Sequence, residues 1–150
     1  MYFDQPEVSP VPHQKQYILL NDYTIKWGKE KIIVPEYFLF DGASIPSIGW
    51  KIFFTPFNYY VLMPALAHDW VYVSHQLSRK DADIMFRDLL IRNGVITAKA
   101  NSMKKILQLF GGKAWEWQKE DIKKMHLLYS LIKTSPRFED YKFPMEILNL

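Results

Sequence analysis

His68 and Asp69 stand side by side in a stretch, residues 59–75, that is otherwise almost wholly apolar. Ionisable side chains are seldom fully buried unless they are paired or bound to something. The pair therefore lines a cleft or is held by partners. In a cleft, the chemistry it suits is hydrolysis. A neutral imidazole can take a proton from water, provided a carboxylate fixes its tautomer and stabilises the cation that forms. Asp83 is the carboxylate expected to do so for His68. Asp69 is then left to face a hard cation such as Ca²⁺, which prefers oxygen ligands and would polarise a carbonyl or phosphoryl oxygen of the substrate. Asp41 and carbonyls of residues 41–46 would complete the shell. The same stretch offers the Ser44 hydroxyl and the backbone groups left open by Gly42.

Other chemistry competes for the same residues. His68 and His75 could hold a transition metal, but seven positions is too far for one chelate without outside ligands. A His-Asp phosphohydrolase wants an additional upstream His and a further distant Asp, and the one upstream His is His13, in the N-terminal arm. A purely structural role, with His68 and Asp69 bracing the fold by hydrogen bonds, is the commoner fate of a bare His-Asp pair. Asp83 and Tyr72 bring the hydrolytic and structural roles close to even. Ser44 has no base beside it, so a serine nucleophile has no support. Residues 41–46 serve equally well as an Asx-type turn that closes the strands onto the first helix.

Positioning these groups requires helices. Pro64 suits a first helical turn, and a helix is expected over residues 63–75. His68, Tyr72 and His75 follow i, i+4, i+7 spacing and share one face. Ser78 and Asp81 form a capping-box-like start to a second helix, ended by Gly94. Its core stripe is Ala82, Met85, Phe86 and Leu89, with Asp83 leaning inward beside it and Asp81 and Asp88 in solvent. The short link between the helices favours an antiparallel pair, which puts Asp83 within reach of the second half of the first helix. A third helix is expected over 98–110, broken by Gly111-Gly112, and a fourth over 113–133. In the fourth, Trp117, Ile122, Met125 and residues 128–131 form the core side. Ahead of the helices, residues 16–20, 23–27 and 31–34 read as strands. The expected fold is α+β: a small N-terminal antiparallel meander followed by a bundle of about four helices. Residues 1–15 form an extended arm, 16–133 a single domain, and 134–150 a tail that packs on the body or on a partner.

Bulk composition narrows the function. At 150 residues and 49% hydrophobic, the chain can bury one core and is not disordered. Its formal charge of +3 is a mild excess without a clustered basic face, so no nucleic-acid partner is expected. With no cysteine, disulfides, thiolate catalysis and Cys-ligated zinc are excluded. No apolar run is long enough for a transmembrane segment, and residues 1–6 lack the basic and apolar regions of a signal peptide. Synthesis in the cytoplasm is the expectation.

Three stretches carry a family likeness: Phe38-x-Phe40-Asp41-Gly42-Ala43-Ser44-Ile45-Pro46, His68-Asp69-Trp70-Val71-Tyr72, and Ser78 to Asp83 with Phe86. Met103, Leu107, Phe110 and Gly111 follow, with a Trp shortly after. Together they resemble a domain-of-unknown-function family, number 1353, common in tailed-phage and prophage genomes. The resemblance covers about residues 16–117. It implies a viral setting: made in the host cytoplasm, carried in the virion, with other phage structural proteins of the tail, neck or baseplate as partners. A looser likeness concerns the chemistry. His68-Asp69-x-x-Tyr72 followed by Asp83-x-x-Phe86 is similar to secreted phospholipase A2 in its small microbial forms. That likeness implies His68 as the base, Asp69 as a Ca²⁺ ligand, Asp83 as the orienting carboxylate, Tyr72 as a supporting phenol, and an ester or envelope component as substrate. The Gly/Cys-rich calcium loop of those enzymes is absent, and residues 41–46 would have to replace it.

Overall fold

The computed structural model describes residues 4–41, 45–46, 49 and 59–150. Gly42 and Ser44 lie outside the described residues. The chain is α+β, with antiparallel strands first and helices after. Among the described residues, five strands form two small sheets rather than one meander. Strands β1 (Val8–Pro10), β2 (Tyr17–Leu19) and β5 (Leu39–Phe40) form one, in the order β1-β2-β5, while β3 (Tyr23–Trp27) and β4 (Glu30–Val34) form a hairpin. The hairpin follows from its sequence. Tyr23 and Ile25 alternate inward, Ile25 faces Ile32 across the ladder, and Gly28 takes the left-handed turn at φ 58°. Strand β2 does not join it because its neighbours lie elsewhere. The Leu19 N–H donates to the Phe38 carbonyl (3.0 Å), and the Leu19 carbonyl accepts from Tyr37 N–H (2.8 Å). The Asp22 carboxylate meanwhile accepts the Glu36 N–H at 2.8 Å, turning the chain out of β2's sheet.

Helix α1 (Leu62–Ser74) is the centre of the molecule: every residue from Met63 to Ser74 is buried. A helix apolar all round must be covered all round. The strands cover one side, α2 (Arg79–Arg92) another, and α5 (Lys119–Ile132) adds Met125 and Leu128 to the larger core cluster. His75 ends α1 in the left-handed conformation, with its N–H on the Val71 carbonyl. Ser78 caps α2, its hydroxyl accepting from Asp81 N–H at 3.1 Å. A second cluster joins α1, α2 and α3 (Thr97–Phe110) through Ala65, Phe86, Leu90, Met103 and Leu107.

The expected fourth helix is in two pieces. A single turn, α4 (Gly112–Trp115), is followed by an extended Glu116 and then α5. A reciprocal box restarts the helix: Gln118 N–H donates to Asp121 Oδ2 at 2.8 Å while the Gln118 side chain accepts from the Asp121 backbone. The break lets the Trp117 indole donate to the Val73 carbonyl on α1 at 2.9 Å. Leu131, expected in the core, is 47% exposed; Ile132 takes the inward position. Asp88, expected in solvent, is half-buried and accepts the Trp27 indole N–H at 2.8 Å. The last segment packs on the body: Tyr141, Phe143 and Ile147 are buried, and the Tyr141 hydroxyl reaches Asp22 at 3.0 Å.

Candidate functional site

Asp83 is where the network closes. One carboxylate oxygen, Oδ1, takes both His68 Nε2 at 2.9 Å and the Tyr72 hydroxyl at 2.7 Å. His68 and Tyr72 lie one turn apart on α1, so their side chains stack on the same face, ring centroids 4.1 Å apart. Asp83 reaches both because only residues 75–78 separate the end of α1 from the start of α2, which packs back against α1. Phe86, one turn further along α2, packs against the imidazole with ring centroids 5.0 Å apart. The relative exposures of His68, Tyr72 and Asp83 are 0%, 2% and 1%. Burial raises the Tyr72 pKa, the Asp83 charge raises it further, and the Arg79 guanidinium opposes both. Tyr72 therefore stays protonated and serves as a donor. The carboxylate can only accept, so Nε2 carries the hydrogen of this bond.

A pocket of about 140 Å³ lies beside this network, between β5, α1 and α5. Its apolar wall includes Phe38, Phe40, Val73 and Met125, and its polar groups are Asp41, Asp69, Gln118, Asp121 and Lys124. Tyr72 belongs to both, since its ring lines the pocket and its hydroxyl bonds Asp83. Asp41 and Asp69 are thus brought to one pocket, while His68 and Asp83 are not on its wall. Two carboxylates fall short of a calcium shell, which takes six to eight oxygens. Among the described residues no group of three His, Asp or Glu is arranged to hold a metal ion.

His75 is not part of this site. Its ring is stacked between Trp115 (4.0 Å) and Trp117 (4.7 Å), and its Nε2 meets the Trp115 carbonyl at 3.0 Å. The two histidines of a shared metal site are thereby separated. Asp121 and Lys124 of the pocket wall are missing from any sequence-based list. The Lys123-Lys124 doublet reads as surface, and only the position of Lys124 beside the buried Met125 hints otherwise. Arg79 and Gly111 carry a helix start, a helix break and part of the family likeness in sequence, none of which assigns them to this site.

Among the described residues, no helix is long and apolar enough to cross a membrane. A family model described as a protein of unknown function (DUF1353) matches residues 17–105. No curated protein and no solved structure matches the chain.

Proposed function

The chain belongs to the DUF1353 family, and from that premise we propose that it is a virion-associated protein of a tailed phage or prophage with a hydrolytic site at His68. The observation that carries the site is the pair of hydrogen bonds on Asp83: one buried carboxylate oxygen accepting from His68 Nε2 and from the Tyr72 hydroxyl. This is the support a general base needs, a fixed tautomer and a counter-charge for the imidazolium. His68 takes a proton from water as the hydroxide adds to an ester carbonyl, then returns it to the departing alkoxide, giving acid and alcohol. Asp83 orients the ring throughout, and the Tyr72 hydroxyl keeps its carboxylate from rotating. Asp69 and Asp41, which share the pocket, supply two of the oxygens that a divalent cation such as Ca²⁺ would need, water and substrate would have to supply the rest, and a cation so held would polarise the substrate oxygen. Support for the virion setting, in the tail, neck or baseplate among other phage structural proteins, comes from the sequence likeness alone. The exposed apolar side chains Leu109, Phe110, Leu127 and Leu131 are available for such neighbours.

One observation favours a second reading, a brace without turnover. His68 and Asp83 are as buried as the core around them, and water must reach the imidazole for any hydrolysis. The two readings separate in one experiment. Ca²⁺ is titrated calorimetrically into the wild type and Asp69→Asn, and ester hydrolysis is followed in the wild type and His68→Gln. Cation binding lost in Asp69→Asn, with turnover lost in a folded His68→Gln protein, supports the hydrolytic site. No binding and no turnover in the wild type leaves the brace, and the chain is then sought as a stoichiometric component of purified virions.

A further inference from the structure

We infer that Arg79 and Gly111 are the positioning residues of the His68–Asp83–Tyr72 network, which the end of α3 holds in place through a seat for the Tyr72 hydroxyl. Arg79 opens α2, one turn before Asp83. Its Nη2 donates to the carbonyls of Leu107 (3.2 Å) and Gln108 (2.8 Å) in the last turn of α3, where a cation suits both the open carbonyls and the helix dipole. That clasp brings the chain just past α3 against Tyr72. A Cβ on Gly111 would stand 2.8 Å from the Tyr72 hydroxyl oxygen and 2.6 Å from the Leu107 carbonyl oxygen. A Cβ on Gly112 would meet Arg79 Nη1 at 3.4 Å. Bare backbone at 111 therefore lets the phenol reach Asp83 and leaves it no room to swing away. The Gly-Gly pair, which in sequence looks like a helix breaker, is the wall behind a hydrogen bond. Arg79 also faces the Tyr72 hydroxyl and offsets the Asp83 charge there.

The positioning role rests on the reading of His68 as a working base, but the test looks at the network itself. Absence of hydrolysis and failure of the seat are therefore separate results. The first measurement is a thermal double-mutant cycle on the full chain. Gly111→Ala should lower Tm by about 5 °C or more, as overpacking does. In a Tyr72→Phe background the crowded phenol oxygen is gone while the contact with the Leu107 carbonyl remains, so the same change should cost measurably less. Equal losses in both backgrounds overturn the seat. The second measurement is the His68 Nε2–H proton in ¹⁵N-histidine-labelled protein, assigned by its loss in His68→Gln. Its exchange should speed up or its signal vanish in Arg79→Met and recover in Arg79→Lys. A cap on α3 alone would lower Tm and leave that proton unchanged. An unchanged proton in folded Arg79→Met overturns the role of Arg79, and this second arm stands even where Gly111→Ala does not fold.

Discussion

Replacing Asp83 with alanine should be among the most damaging single changes in this chain, and the same position should tolerate asparagine far better. Asp83 is 1% exposed, and its Oδ1 accepts from two donors that are themselves buried, His68 Nε2–H and the Tyr72 hydroxyl. Removing the acceptor strands both. A buried donor left without a partner costs about 1–3 kcal/mol, so two cost about 4 kcal/mol, a large share of the roughly 5–15 kcal/mol that holds a domain folded. Asparagine keeps one oxygen for both donors and exchanges the other oxygen for an NH₂ group, a change of about 1–2 kcal/mol. Urea unfolding followed by circular dichroism, with the slope m held common, gives both differences from the midpoints. If Asp83→Ala costs less than about 1 kcal/mol, or as little as Asp83→Asn, the shared oxygen is not what holds α1 to α2.

Three further outcomes follow from the structure. Tyr23 is pushed up from 10.0 to about 12 by burial and by the charge of Asp4. Because the folded value is the higher one, its contribution is complete below pH 10 and is lost as pH rises towards 12, by at most about 3 kcal/mol. Tyr23→Phe should flatten the fall in urea midpoint over that window, and an unaltered slope counts against it. Asp22 accepts from Glu36 N–H and the Tyr141 hydroxyl and pairs with Arg137 at 3.0 Å. Asp22→Ala should cost about 2 kcal/mol and speed tryptic cleavage at Arg137; an unchanged cleavage rate would show the tail is held by its apolar side chains alone. Trp117→Phe keeps a ring stacked on His75 and removes the indole donor to Val73, so it should cost about 1 kcal/mol, read as a shift in urea midpoint, with no shift if that bond is idle.

The parts of this fold legible in the sequence are those whose signals are local. Alternation in residues 23–27, the turn residue Gly28 and the β-branched run that ends at Val34 mark the hairpin. The short link after His75 forces α2 back along α1, which is why the reach of Asp83 to His68 could be read without coordinates. Strands β1 and β5 are three and two residues long. Their partners are chosen by distant backbone groups, so no period announces them. The break at Glu116 has neither proline nor glycine to mark it; it exists because Trp117 finds a carbonyl on α1. The pocket is legible by half for the same reason. Asp41 and Asp69 were singled out by type, while Asp121 and Lys124 arrive from a helix more than fifty positions on.

The clasp between Asp22 and Tyr141 joins residues 119 positions apart. Its consequence is kinetic. Contacts of such long sequence separation form late and slow the search for the native state. During synthesis the hairpin at residues 23–34 is made early but waits for the segment that locks its base. Until residues 137–141 have emerged, the Asp22 carboxylate has only Glu36 and solvent to serve, and the apolar underside of that hairpin lacks its final cover. Such waiting intermediates are the ones that aggregate or need chaperones.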